Sequence, residues 1–373
     1  MEIIKGNATS KLLKLIDKNY KLFKTIVVTD DVKEDKFYDV ISKISEKCKA
    51  LEIVTVPLGN YSSSVVKGLI DYKMSDDVGA IIVLGDNPNV LECLNNYQVA
   101  IINIITEPYL PLFLYKQDYV VIDEKVISKC SYRDIAKCYS TIASLSFYLL
   151  EQVFDKAIFY KEVDNDKLIK IEQLLLDLTM MPSIVVKSTM GKNMLIDICL
   201  QLKDILLLSD FNQSFVYKIA NNIIQFSKYK NINLGESLMI SNVISYKMFD
   251  VLLSADMLKP NIGFDCEKRI NLYKNNYSLS HISQSFLCDK DISQHIDNFN
   301  RVKVAFKAVF ITYYEMLVKH IKIFRELYYD KGLSLNKYLN DKVLLTSINC
   351  VPETYDNSCF GTFIRDVGLL NKI

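Results

Sequence analysis

Two short apolar runs, Ala80–Leu84 and Val99–Ile105, set the terms for what this chain can fold into. Each is rich in Ile and Val, and each is closed by turn residues: Gly85-Asp86-Asn87-Pro88 after the first, Thr106-Glu107-Pro108 after the second. Short β-branched runs without polar alternation are strands covered on both faces, the habit of parallel sheets. Val90–Asn96 between them is long enough for a short crossover helix, so the segment predicts a β-turn-α-β unit. Ligands of such sheets sit beyond the carboxyl ends of the strands, which makes Gly85–Pro88 the first place to look for chemistry.

The same alternation runs through the first third of the chain. Leu12–Leu22 has helical spacing, Thr25–Thr29 reads as a strand, Phe37–Cys48 as an amphipathic helix and Glu52–Val56 as a strand. A turn-rich loop at Pro57–Ser64 and a helix at 65–72 follow, and strands at 81–84, 99–105 and 119–122 complete the sheet. After Asp123 helical periodicity takes over, in Tyr132–Phe154, Lys167–Leu178, Lys192–Leu208, Gln213–Ser227, Gly235–Leu253, Ser293–Asp297 and Arg301–Tyr329. Ser293 is the expected N-cap of its short helix, Pro260–Gly263 a break, and Thr346–Phe360 an irregular connection before a last helical turn at Phe363–Leu370. The expectation is an α/β Rossmann-like domain with a mostly parallel sheet over 1–125, followed by an all-α domain over 126–373.

Composition narrows the function classes. A net charge of +1 with no basic tract leaves no footprint for nucleic acid or a membrane surface, and no run approaches the length of a membrane span. Together with a start lacking an apolar leader, this predicts a cytoplasmic chain. Nine cysteines without a CxxC pair read as reduced thiols rather than a disulfide framework or zinc site. Glycine is scarce, 11 residues in all, and glycine is what lets a backbone close over pyrophosphate.

Four segments in this order carry a resemblance. Lys24–Asp31 (KTIVVTDD), Ala80–Leu91 (AIIVLGDNPNVL), Tyr119–Lys129 (YVVIDEKVISK) and Leu234–Ser241 (LGESLMIS) are similar to four signatures of the dehydroquinate synthase-like and iron-containing alcohol dehydrogenase superfamily. These are its first strand, its strand followed by GGGSxxD, its strand ending in Asp at the domain boundary, and its HGExVAxG. Glycerol-1-phosphate dehydrogenase is the nearest member, because NQSFVYKIA can be laid on its SGSEH-FSHA segment with Phe215 matching. The resemblance implies a metal-assisted, NAD(P)-dependent oxidation of a polyol or polyol phosphate in a cleft between the two domains, where a small-molecule ligand is expected. It also admits a homo-oligomer.

The departures bear on whether that chemistry survives. The position of the glycine triplet reads Gly85-Asp86-Asn87, Pro88 lacks an N–H donor, and Leu91 stands where the family has Asp. Asp86 puts a carboxylate where pyrophosphate should lie, and like charges a few ångströms apart repel by about 1 kcal/mol even in water. The family's metal ligands, an Asp and two His, fall on Thr141, Tyr217 and Leu234, and no histidine occurs before His281. No metal is expected. What remains as a cofactor site is Gly85, Asp86, Asn87 and Thr106, with Tyr217 as the candidate proton donor. The residues therefore predict a catalytically degenerate relative of the polyol dehydrogenases. The alternatives are a metal-independent oxidoreductase with a rewritten nicotinamide site, and an interaction protein built on the same fold through an exposed apolar helical face.

Other features are weaker. His281 and His295 with Asp289 or Asp291 could be drawn as a metal site, but isolated polar residues in helical proteins are more often solvated. His320 reads as a surface or core histidine, and the 23 tyrosines as core and interface aromatics. The Lys/Asn-rich stretches Lys228–Asn233 and Lys274–Tyr277 fit solvated turns. Glu236, at a helix start, is expected to serve that helix's N-terminus rather than catalysis.

Overall fold

A computed structural model describes residues 1–56, 63–85, 88–206, 212–227, 232–261, 269–271, 290–329, 341–352 and 358–372. Six strands, β1 (Glu2–Gly6), β2 (Lys24–Thr29), β3 (Ala50–Thr55), β4 (Val78–Leu84), β5 (Ala100–Ile104) and β6 (Tyr119–Asp123), form one sheet in the order β1-β6-β5-β4-β2-β3, every pairing parallel. Helices α1 (Ala8–Asn19), α2 (Asp31–Lys36), α3 (Tyr38–Ser45), α4 (Ser63–Asp71), α5 (Pro88–Leu94) and α6 (Pro111–Leu114) connect them, as parallel strands require.

The strand order has one reversal. From β2 the chain steps outward to β3, then returns past β2 to lay down β4, β5 and β6 on its other side. The reversal between β2 and β4 is the topological switch point, where open α/β sheets keep their ligands. One sheet face packs Val27, Ile82, Ile102, Ile104 and Val121 against Ala8, Leu12 and Ile16 of α1 and Ile41 and Ile44 of α3. Those helical positions recur at spacings of three or four residues, so each helix has a single apolar stripe to bury.

Helices follow β6: α7 (Glu124–Ser128), α8 (Tyr132–Ala143), α9 (Leu145–Phe159), α10 (Asn165–Thr179), α11 (Ser183–Lys187), α12 (Thr189–Lys203), α13 (Phe215–Phe226), α14 (Leu234–Ser254), α15 (Ile292–Tyr329), α16 (Asp341–Asn349) and α17 (Cys359–Asp366), then a 3-10 turn at Leu369–Lys372. Contacts divide the chain into two compact units, Met1–Cys138 with Ile184–Asp204, and Tyr139–Ser183 with Ile205–Ile373. The expected boundary at 125 falls inside α7, and the sheet-bearing unit runs past it and takes back α12.

The helical unit is centred on α9, which is buried nearly all round from Leu145 to Leu150. Phe147 and Phe154 meet Phe215, Phe249, Phe306, Phe360 and Phe363 from the neighbouring helices at centroid distances of 5.3–6.3 Å. Side-chain caps set several helix starts, with Asp164, Ser214, Asn233 and Ser358 each accepting the N–H three residues on.

Several expectations change. Strand β1 was not foreseen, the run Tyr132–Phe154 is two helices split at Ser144, and Thr346–Asn349 is helical as the end of α16. Ser293 lies inside α15 rather than capping a short helix, because one helix of 38 residues covers both expected segments.

Candidate functional site

The switch point is built from two strand ends. Thr29 and Leu84 are paired in register, so Asp30 and Gly85 emerge side by side from β2 and β4. Gly85 is buried, and among the described residues a Cβ built on it would meet only Asp30 Oδ2, at 4.0 Å. The Asp30 carboxylate accepts from the backbone N–H of Lys33 at 2.9 Å, capping α2, and lies 3.6 Å from Lys33 Nζ. The carboxyl end of the sheet thus offers a carboxylate beside a residue without a Cβ. Asp86 and Asn87 lie outside the described residues.

Strand β5 brings two orphaned groups to the same end. Among the described residues, Thr106, 3% exposed, has no hydrogen-bond partner for Oγ1, and Asn103 is wholly buried with neither side-chain atom partnered. A buried polar group left unpaired costs about 1–3 kcal/mol, a cost that a ligand or water bonded to it removes. Next to Thr106, Glu107 is paired with Lys137 of α8 at 2.5 Å, and the Lys137 ammonium lies 4.0 Å from the centre of the Tyr109 ring. Both charged side chains are at most 8% exposed. Removing either partner would strand a buried charge.

Asp123, the boundary residue in the resemblance, has a structural task. Its carboxylate accepts from Thr9 N and Oγ1, both at 2.8 Å, and from Lys125 N at 2.9 Å, joining α1 to the start of α7. Burial alone would raise its pKa, but these bonds, led by those from Thr9, hold the carboxyl below its ordinary value.

The positions laid on the family's metal ligands belong to the helical unit. Thr141 is wholly buried on α8, Tyr217 is half-buried in the first turn of α13, its N–H donated to Ser214 Oγ, and Leu234 is the first residue of α14. A Thr hydroxyl, a Tyr phenol and a Leu side chain do not make the donor set of a zinc or iron centre. Among the described residues no three His, Cys, Asp or Glu side chains come together to hold a metal ion. The residues present therefore do not fit the metal that the fold family implies.

Glu236 closes a capping box with Asn233: Glu236 N donates to Asn233 Oδ1 at 2.9 Å, and Asn233 N to Glu236 Oε2 at 3.1 Å. Its other oxygen accepts from Tyr328 OH at 2.8 Å. His320, placed by sequence on a surface or in a core, is in the core, fully buried and hydrogen-bonded through Nδ1 to Tyr139 OH at 2.8 Å. His295 packs its ring 4.4 Å from that of Phe159, while His281 and Asp289 lie outside the described residues. The stretches 228–231 and 274–277 also lie outside them.

Sequence reasoning reached Gly85 and Thr106 as strand ends. It missed Asp30 and the Glu107–Lys137 pair, which only the strand order and the placement of α8 bring to the carboxyl end of the sheet.

No protein-family model and no curated protein matches the sequence. Solved structures match it over nearly its whole length. An archaeal halo-thermophilic alcohol dehydrogenase from a Red Sea brine pool is 10% identical with a TM-score of 0.56, covering 98% of this chain and 93% of that one. A probable glycerol dehydrogenase from Sinorhizobium meliloti is 10% identical with a TM-score of 0.55, covering 100% and 98%. A maleylacetate reductase from a Rhizobium strain gives 9%, 0.54, 100% and 95%. The chain has the fold of the iron-containing alcohol dehydrogenases. Within that fold, the expected α/β half and helical half are both present, and among the described residues no helix is long and apolar enough to cross a membrane.

Proposed function

We propose that this chain is a catalytically degenerate relative of the NAD(P)-dependent polyol and polyol-phosphate dehydrogenases, with glycerol-1-phosphate dehydrogenase the nearest in its segment around Phe215. It keeps the crevice at the β2–β4 switch point for a small-molecule ligand and has lost the metal-assisted hydride chemistry. The observation that carries this reading is the donor set: Thr141, Tyr217 and Leu234 offer no ligands where the resemblance places an Asp and two His. Without a Lewis acid on the substrate oxygen, the fold's ordinary route to alcohol oxidation is closed.

A second reading rests on Asp30, Gly85 and Thr106. A carboxylate beside Gly85 suits the hydroxyls of a nucleotide ribose, and Thr106 Oγ1 has a bond to give, so a metal-free nicotinamide site is the competing function. Two measurements on the purified protein separate them: metal content, and calorimetric titration with NADH and then NADPH up to millimolar ligand. The degenerate reading expects neither a stoichiometric metal nor micromolar binding. Micromolar binding weakened at least ten-fold by Asp30→Asn would move the conclusion to the second reading. Stoichiometric zinc or iron would sink the degenerate one.

A further inference from the structure

Helix α15 has an exposed face with its own periodicity. Val304, Ile311 and Val318 recur every seven residues and are 82%, 55% and 49% exposed, with Tyr314 beside them at 46%. Apolar residues at that interval keep one seam of a helix turned toward another helix. Helix α14 runs alongside. Its Tyr246 ring lies 5.9 Å from Phe310 and 6.1 Å from Tyr314, and Lys303 Nζ donates to Ala255 O, just past the end of α14, at 2.6 Å. Val243 and Val251 of α14 and Met257 beyond it are exposed as well. The exposed valines and isoleucine of α15 form an apolar seam of the kind that marks an interaction site.

Charges on the same face say what covers it. Taking about 100° per residue, Asp297, Asn300, Val304, Lys307, Glu315, Val318, Lys322 and Arg325 all project within about 40° of Ile311, and all are exposed. They are arranged as opposites around that residue. Lys307 and Glu315 are each four positions from Ile311, Val304 and Val318 each seven, Asn300 and Lys322 each eleven, Asp297 and Arg325 each fourteen.

We propose that a second copy of this chain covers this face, with α15 packed antiparallel on its counterpart about a two-fold axis at Ile311. Positions equally distant from Ile311 then meet across the seam: valine on valine and Lys307 on Glu315, each pair occurring twice by symmetry. This is the self-complementarity that an isologous interface demands. A parallel pairing would set every charge against itself. The one like-charged pair in the antiparallel register, Lys303 and Lys319, projects to the outer flanks about 80° from Ile311, where the gap is widest, and Lys303 is already engaged by Ala255 O.

Sedimentation velocity on the full chain, with concentration raised to about 100 µM, tests this. A dimer is expected, and Ile311→Glu should make it a monomer with unchanged far-UV circular dichroism. Lys307→Glu alone and Glu315→Lys alone should each weaken association roughly ten-fold, and the double exchange should restore it. Because the exchanged residues are exposed, the charge series stands even if Ile311→Glu fails to fold. A wild-type monomer throughout, a dimer indifferent to Ile311→Glu, or a double exchange as weak as either single one would overturn the proposal. The first outcome would leave the face to a different partner.

Discussion

Glu151 shows how much a single buried carboxyl can govern. It is sealed within α9, its two oxygens accept from the Phe215 N–H at the start of α13 at 2.9 and 3.2 Å, and Ser358, the cap of α17, donates to it. Burial first, and the neighbouring Asp155 second, push its carboxyl up to about 8 from an ordinary 4.5. The folded state therefore holds this proton more tightly than the unfolded chain, so its contribution to stability is complete below about pH 4.5 and is withdrawn as pH rises toward 8. His320 works in the opposite direction. Burial depresses it to about 3 from 6.5, so the unfolded chain takes up the proton first and stability is lost as pH falls from 6.5 toward 3. Denaturant titrations across this range should give Glu151→Gln a flatter alkaline limb than the wild type and His320→Phe a flatter acid limb. Variant limbs as steep as the wild type's would show that other groups set the profile.

At the scale of elements, sequence and structure agree where burial is uniform and part where contacts override local preference. β4, β5 and β6 could be read because most of their residues are buried and they are written mainly in Ile and Val. β1 could not, because only Ile4 of its five residues is buried and the strand lies at the sheet edge. The supposed gap before Arg301 holds Asn298 and Asn300, poor helix formers. Yet the helix continues, because Asn298 is buried and donates to Ile158 O at 3.0 Å while accepting from Tyr160 OH at 3.0 Å. The candidate site follows the same rule: Gly85 and Thr106 sit at legible strand ends, whereas Asp30 comes beside Gly85 only through a strand order that the linear sequence does not state. Helix α12 makes a prediction at this scale. A Cβ on Gly191 would lie 2.0 Å from Val185 O, so backbone must move to admit it. Gly191→Ala should cost about 1–3 kcal/mol or more in urea denaturation, and a neutral result would mean that α11 is free to shift.

The whole molecule is two units threaded through each other in sequence. The sheet-bearing unit needs Ile184–Asp204, which the chain reaches only after passing through Tyr139–Ser183 of the other unit. In that returning segment Leu195, Ile196, Cys199 and Leu202 are buried, and Lys192 donates to Ser128 O and Cys130 O at 3.1 and 3.2 Å. A fragment ending at Cys138 should therefore melt without cooperativity and bind a hydrophobic dye, while supplying residues through Asp204 should restore a cooperative transition. A sharp transition for the shorter fragment would show that α12 is dispensable. The interleaving also governs the order of events at the ribosome. The strands leave the exit tunnel first but cannot close their unit until some sixty-six residues after Cys138 have been made (204 − 138). During that interval an apolar face is presented to solvent or to a chaperone, so a slow codon placed between Cys138 and Ile184 would lengthen the exposure.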